Sequence, residues 1–165
     1  MRGGLVVFSR YQIAKLDPWQ QTVDGFRRGV QTGFERAGRR RLPVVAAGFS
    51  FGGTLVNYYA GHARGWAVPV PHGVLSVFPT TRVPGRPAGT PPKSFRFVLL
   101  AGARDDVVGT EGAAQDFLAW LEGHPLARKT YRLIRSGAAL TASHEAPKEA
   151  TPPRRERSGR RSMGS

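Results

Sequence analysis

The sequence predicts an α/β protein whose mostly parallel sheet has about five strands and flanking helices. Short continuous apolar runs, which are typical of strands buried on both faces, occur along the chain between stretches with helical periodicity. An alternation of this kind favours a parallel sheet with helices packed against it. The strands are expected at residues 5–8, 44–47, 73–78, 95–101 and 130–135.

The first helix is predicted over residues 17–37. Asp17 is a favourable N-cap, and Pro18 suits the first helical position. Gly38 is expected to end the helix, and the three arginines that follow lie at the negative end of the helix dipole. Apolar side chains recur every three or four residues as one stripe, at Trp19, Val23, Phe26, Val30, Phe34 and Ala37.

The later connections and helices are shorter or irregular. A helix is predicted to begin soon after the strand at residues 44–47, and another around residues 114–121, where a Gly-His-Pro sequence closes it. Residues 79–94 are rich in Pro, Gly and Thr without any periodic pattern. We expect them to form a long irregular connection.

Composition excludes several classes of protein. A chain of 165 residues with 40% apolar content is long enough for one globular domain with a substantial core. No apolar run approaches the roughly 18 residues of a membrane-spanning helix, and the run after the N-terminus is too short for a signal-peptide core. Without cysteine the chain has no disulfide, thiol nucleophile or cysteine-ligated metal. No cofactor or metal site is indicated.

The formal net charge of +14 raises the question of nucleic-acid binding. Residues 148–165 supply +4 of this charge, with six basic residues against two acidic ones, and no aromatic side chain is present there to stack on bases. We therefore expect an α/β domain over residues 1–147 and a disordered basic tail over residues 148–165. Specific binding of nucleic acid is not expected.

The first indication of a catalytic site is the sequence GFSFG at residues 48–52, which fits the pattern G-x-S-x-G. Between a buried strand and a helix, this pattern is typical of a sharp turn that holds a serine clear of the sheet. Glycines on both sides allow the strand and the helix to approach closely. Ser50 is then a candidate nucleophile, and the backbone N–H of Phe51 is a candidate oxyanion donor. The alternative is a turn in which Ser50 merely caps the helix.

Two further residues extend this hypothesis. Asp105 and His144 each follow a predicted strand, at the edge of a parallel sheet where binding sites form. The chain order of serine, aspartate and histidine is the order that goes with this turn in Ser-His-Asp hydrolases. Asp106 competes with Asp105 for the role of the acid. His124 also follows the acid, but a cap at the helix end explains it, and the other two histidines precede the acid.

On these residues the sequence resembles the α/β-hydrolase family. The resemblance covers about residues 5–146 and rests on GFSFG, on the match of residues 102–108 to the family pattern G-x-x-D-x-x-V, and on the histidine after the last strand. It implies that Ser50 forms an acyl-enzyme, His144 transfers its proton and Asp105 orients the imidazole. The family spacing favours the first aspartate of the pair.

The resemblance implies that the chain lacks the first strands of the complete family fold and has a basic tail in place of its C-terminal helix. The resemblance identifies residues 5–8 with the family's fourth strand, so that strand should stand about 9–10 Å from the strand at residues 44–47. The third strand between them is missing, together with the loop that supplies a second oxyanion donor. We therefore expect a fragment whose activity is weakened, by roughly 100- to 1,000-fold for the lost donor.

The function expected from the resemblance is hydrolysis of a carboxylic ester or related acyl bond in a small molecule. Residues 79–94 are too short and proline-rich for a helical cap, which favours an open site. Phe49, Phe51, Tyr58 and Tyr59 either line an acyl pocket or pack in the core. The rival hypothesis is a non-catalytic basic binding module on a decayed hydrolase core. Nothing in the sequence indicates the oligomeric state or the cellular compartment.

Overall fold

The structure is a computed structural model that describes residues 5–9, 19–38, 43–80, 89, 91–110 and 112–149. Within these residues four parallel strands form one sheet, in the order in which they occur along the chain. They are β1 (Val45–Phe49), β2 (Gly73–Val77), β3 (Arg96–Gly102) and β4 (Lys129–Ile134). The predicted parallel α/β sheet is therefore present, with four strands instead of about five.

The register of the sheet brings the ends of its strands together. Phe49 of β1 lies opposite Val77 of β2, and Gly102 of β3 lies opposite Ile134 of β4. Because all four strands run in the same direction, their carboxyl ends lie along one edge of the sheet. The residues that follow each strand therefore emerge at the same edge.

Three of the described helices lie where the sequence predicts them, and a short fourth helix after His144 was not predicted. They are α1 (Trp19–Arg36), α2 (Phe51–His62), α3 (Gly112–Trp120) and the short α4 (Ala146–Glu149), with a 3-10 turn at Leu126–Arg128. α2 packs against β1 and β2 and also contacts α1. Gly38, with φ of 72°, follows the end of α1 as predicted. In the described part of the chain, no helix is both long and apolar enough to cross a membrane.

The core forms where α1 and α2 meet the sheet. The apolar stripe of α1 contributes Phe26 and Val30, which are buried, and Trp19, Val23 and Phe34, which are partly buried against them. This confirms the helical periodicity read from the sequence. Burial of each large apolar side chain favours folding by about 1.5–3 kcal/mol. The sheet and α2 supply most of the remaining buried side chains, among them Leu55, Val56, Val74, Phe95, Phe97 and Leu99.

The prediction of a strand at residues 5–8 is wrong. This segment has no regular secondary structure, and its side chains are largely exposed, up to 93% for Phe8. Val7 lies against α1, where a Cβ added to Gly33 would come within 2.2 Å of it. A strand requires a neighbouring strand for its hydrogen bonds, and no described segment supplies one here. Val45 is also 71% exposed, because β1 is an edge strand of this sheet.

Some expectations concern residues that the structure does not describe. The helix cap at Asp17 and Pro18, the arginines at residues 39–41 and most of the connection at residues 79–94 lie outside the described residues. Of the basic tail predicted at residues 148–165, only the first two residues are described, and they belong to α4. The tail therefore stays a prediction.

Candidate active site

Ser50 occupies a sharp turn between β1 and α2. Its backbone has φ of 55° and ψ of −124°, a region that non-glycine residues adopt only when the surrounding structure holds them there. The N–H of Ser50 donates to the carbonyl oxygen of Val77 at 2.8 Å, which ties the turn to β2. The Ser50 side chain makes no capping hydrogen bond to α2. Ser50 therefore occupies the N-cap position of α2, but its side chain does not serve as the cap that the alternative interpretation proposed.

Gly48 permits the close approach of β1 and α2. A Cβ at this position would lie 2.2 Å from the carbonyl oxygen of Gly52 and 2.8 Å from the backbone nitrogen of Gly53. Both neighbours are backbone atoms of the helix, so they have little freedom to move away. The expectation that glycine is needed here for close packing is confirmed.

Replacing Gly48 with alanine should lower the free energy of unfolding by about 3 kcal/mol, because the strand and the helix must separate. Urea unfolding followed by circular dichroism measures this change. Gly137→Ala is the matched control, since nothing lies within 4 Å of a Cβ added there. The control should stay within about 0.5 kcal/mol of the parent chain. Equal destabilisation by the two substitutions would contradict the packing argument.

His144 lies between the two other predicted side chains. Its Nδ1 is 2.9 Å from Asp105 Oδ2, and its Nε2 is 2.9 Å from Ser50 Oγ. A carboxylate only accepts hydrogen bonds, so Nδ1 carries the proton and Nε2 accepts from the Ser50 hydroxyl. His144 and Asp105 are both buried. The fold thus brings three residues that are distant in sequence into one hydrogen-bonded line.

Asp105 is held by the turn that follows β3. Its Oδ1 accepts hydrogen bonds from the backbone N–H groups of Val107 and Val108, each at 3.0 Å, which leaves Oδ2 for His144. These three hydrogen bonds offset the cost of burying a carboxylate. The neighbouring Asp106 is exposed. The geometry therefore places the first aspartate of the pair beside the imidazole.

The loop that carries His144 is tied to the turn that carries Asp105. The carbonyl oxygen of Ala142 accepts from the N–H of Arg104 at 3.0 Å, and the N–H of Ala142 donates to Ser136 Oγ at 2.9 Å. Gly102 allows this contact, since a Cβ there would lie 2.5 Å from the Ala142 carbonyl oxygen. The separation of His144 and Asp105 is therefore set by backbone contacts as well as by their own hydrogen bond.

Phe51, the predicted oxyanion donor, is the first residue of α2 and follows Ser50 directly. Backbone N–H groups at this end of a helix lie at the positive end of its dipole. The side chain of Phe51 packs between helices. Its ring meets Trp19 edge-on, with centroids 5.3 Å apart, and Trp19 in turn contacts Tyr58. These side chains join α1 to α2.

The sequence analysis did not decide whether four aromatic residues line a pocket or pack in the core. Two of them belong to the core. Tyr58 and Tyr59 are buried, and the Tyr59 hydroxyl donates to the carbonyl oxygen of Pro69. Burial raises the pKa of both hydroxyls. Phe49 instead contacts the His144 ring, with centroids 4.8 Å apart.

Sequence reasoning missed Phe78, whose ring centroid lies 6.3 Å from that of His144. It is the last apolar residue of the predicted strand at residues 73–78, and it follows β2 at the edge where Ser50 and Asp105 emerge. Its position at the end of a predicted strand was the feature from which a place near the site could have been inferred. No polar atom marked the side chain as part of a site.

The other histidines have partners elsewhere in the fold. His124 Nε2 lies 2.9 Å from the carbonyl oxygen of Phe95, and His62 Nδ1 lies 3.0 Å from that of Tyr58. His72 Nδ1 accepts from the backbone N–H of Val44 at 3.3 Å. Among the described residues, no group of three or more His, Cys, Asp or Glu side chains is arranged to hold a metal ion.

Several solved structures share this fold. The chain is similar to the α/β hydrolase MGS-M1 from a Medee basin deep-sea metagenome library, with a TM-score of 0.56 and 16% identity over 78% of this chain and 54% of that one. It is similar to a carboxylesterase from Bacillus cereus, with a TM-score of 0.54 and 13% identity over 82% of this chain and 57% of that one. A carboxylesterase from Mesorhizobium loti matches with a TM-score of 0.56 and 19% identity, over 91% and 67% of the two chains.

At these identities the likeness establishes a common fold, that of the α/β hydrolases. The chain spans little more than half the length of the first two structures. No protein-family model and no curated protein matches the sequence.

Proposed function

We propose that this chain, which has the fold of the α/β hydrolases, is a serine hydrolase that cleaves a carboxylic ester or related acyl bond in a small molecule. One observation carries the proposal. The side chains of Ser50, His144 and Asp105 form an unbroken hydrogen-bonded line with 2.9 Å at each contact. The strained backbone of Ser50 at the start of α2 supports the same reading, because strain of this kind collects at functional sites.

The geometry fits nucleophilic attack by Ser50. As Ser50 Oγ bonds to the carbonyl carbon of the substrate, its proton passes to His144 Nε2. The developing negative charge on the substrate oxygen lies at the start of α2, where the N–H of Phe51 and the helix dipole stabilise it. The intermediate then collapses to an acyl-enzyme, and the leaving alcohol takes the proton from His144.

Deacylation repeats these steps with water in place of Ser50. His144 Nε2 takes a proton from the water as its oxygen attacks the acyl carbon, and then returns that proton to Ser50 Oγ as the acid product leaves. Throughout, Asp105 accepts the hydrogen bond from Nδ1 and stabilises the imidazolium. Each proton that moves therefore has a donor and an acceptor in the site.

The structural neighbours support an ester over other acyl compounds. Two of the three that are described above are carboxylesterases. Their identities to this chain are low and the chain spans only part of their length, so the substrate class is a proposal for this protein. We expect the activity of this chain to be modest if Phe51 is its main oxyanion donor, since loss of one donor costs roughly 100- to 1,000-fold.

The proposal is tested by covalent labelling of the folded chain with a fluorophosphonate, which reacts with activated serines. We expect one label per chain, mapped to Ser50 by mass spectrometry, and none on the Ser50→Ala variant. The control Ser94→Ala removes an exposed serine and should be labelled like the parent chain. Absence of labelling from the folded parent chain would contradict the proposal. Salt-dependent nucleic-acid binding by such an unlabelled chain would favour the rival binding module.

A further inference from the structure

Phe78 is held in an unusual position beside His144. Its φ is 48°, which is rare for an aromatic residue, and its side chain is almost completely buried. The N–H of Phe78 donates to the carbonyl oxygen of Leu100 at 2.8 Å. Two residues later the backbone of Thr80 is hydrogen-bonded in both directions to the hydroxyl of Thr54 in α2. The turn is therefore anchored to β3 and to α2 on either side of the ring.

The ring of Phe78 contacts the end of β3, just before the proposed acid, and the imidazole of the proposed base. A Cβ added to Gly102, three residues before Asp105, would lie 3.2 Å from two ring carbons of Phe78. On another side the ring meets His144, with centroids 6.3 Å apart and planes inclined by 42°. Phe78 thus fills the space between the end of β3 and the imidazole.

Phe49 and Phe78 contact one side of the imidazole together. Their own ring centroids are 6.3 Å apart, while Phe49 lies 4.8 Å and Phe78 6.3 Å from the centroid of His144. These distances describe three mutually contacting rings and not a sandwich around His144. The nitrogen atoms of the imidazole are directed instead at Ser50 and Asp105.

The ring contacts add to the restraint that the hydrogen bonds provide. Rotation of the imidazole about its Cβ–Cγ bond would carry Nδ1 away from Asp105 and Nε2 away from Ser50. Packing against the rings of Phe49 and Phe78 opposes this rotation, because turning the imidazole would disrupt its contacts with both rings.

We propose that Phe78, together with Phe49, is a positioning residue that holds the His144 imidazole in the orientation required for proton transfer between Ser50 and a substrate. This inference rests on the proposed function. Neither phenylalanine takes part in bond making. Both act through the histidine.

The test compares two buried phenylalanines that each contact a histidine. Phe95 meets His124 with centroids 5.9 Å apart, just before β3 and therefore at the end of the sheet remote from Ser50. Phe78→Leu and Phe95→Leu remove the same atoms from buried sites and should lower the melting temperature to a similar extent. Only Phe78→Leu should lower kcat on an activated ester, by about 10- to 100-fold, as expected for a misplaced catalytic group. KM should change by less than about threefold.

A second readout does not depend on activity. The proton on His144 Nδ1, shared with Asp105, should give a strongly deshielded resonance in the proton NMR spectrum of the parent chain, assigned by its loss in Asp105→Asn. It should broaden or vanish in Phe78→Leu and persist in Phe95→Leu. If the parent chain hydrolyses no ester and resists the fluorophosphonate while the resonance behaves in this way, the proposed function fails and the positioning role stands.

Phe49 provides a variant pair for the case in which Phe78→Leu does not fold. Phe49 is only partly buried. Phe49→Tyr keeps the ring that contacts His144, whereas Phe49→Leu removes it. Phe49→Leu should lose at least about tenfold more kcat than Phe49→Tyr. The inference is overturned if both leucine variants keep kcat and the Nδ1 resonance while losing only stability. It is also overturned if Phe95→Leu loses kcat as strongly as Phe78→Leu.

Discussion

Replacing His144 with alanine is expected to lower kcat on an activated ester by at least about 10⁴-fold, because His144 Nε2 is the acceptor placed to take the proton of Ser50 Oγ. This expectation rests on the distance of 2.9 Å between His144 Nε2 and Ser50 Oγ. Initial-rate kinetics with a nitrophenyl ester measures the effect. The rate of fluorophosphonate labelling provides a second measurement that does not depend on deacylation.

His124→Ala is the matched control for this substitution. His124 is 7% exposed and His144 is 6% exposed, so both variants lose a buried imidazole. His124 makes its hydrogen bond to the backbone of Phe95 and lies away from Ser50. We expect His124→Ala to lose stability and to keep its kcat within about threefold per folded molecule. Activity of His144→Ala within about tenfold of the parent chain would show that another group acts as the base.

The choice between the two aspartates gives the second large effect. Asp105→Asn should lower kcat by about 10⁴-fold with little change in fold, since an amide at this position has almost the same shape as the carboxylate. The amide nitrogen would donate to His144 Nδ1 and move the ring proton to Nε2. That tautomer cannot accept the proton of Ser50.

Asp106→Asn is the natural control, because Asp106 is adjacent in sequence but exposed. Its kcat should stay within about threefold of the parent chain, as for most surface substitutions. Melting curves of both variants establish that any loss of kcat does not come from unfolding. If Asp106→Asn abolished activity and Asp105→Asn did not, the roles of the two residues would be reversed.

Local patterns in the sequence predicted α1, α2 and α3, the four strands of the sheet and the place of the turn at Ser50. The stripe on α1 recurs with the period of a helix, and the run before Gly48 has the β-branched and small residues of a strand, although the predicted burial of that strand is wrong at Val45. The glycine at position 48 predicted the close approach of β1 and α2. These predictions succeeded because each depends on residues within a few positions of one another.

The candidate site was predictable only as a set of residues. Chain order and strand ends singled out Ser50, Asp105 and His144, but their mutual distances depend on the order and register in which β1, β2, β3 and β4 pair. The burial of Asp105 beside the exposed Asp106 likewise follows from the turn after β3 and its backbone hydrogen bonds. The family spacing favours the first of the two adjacent carboxylates, but only the tertiary structure supplies the physical reason for its burial.

Only the tertiary structure shows that residues 5–8 do not form a strand and that Phe78 contacts His144. An apolar run becomes a strand only when another strand lies beside it, and residues 5–8 have α1 as their neighbour instead. Phe78 appears in the sequence as one more apolar residue at the end of a strand. Its contact with His144 exists because β2 lies between the strands that carry Ser50 and Asp105, and strand order is a property of the whole sheet.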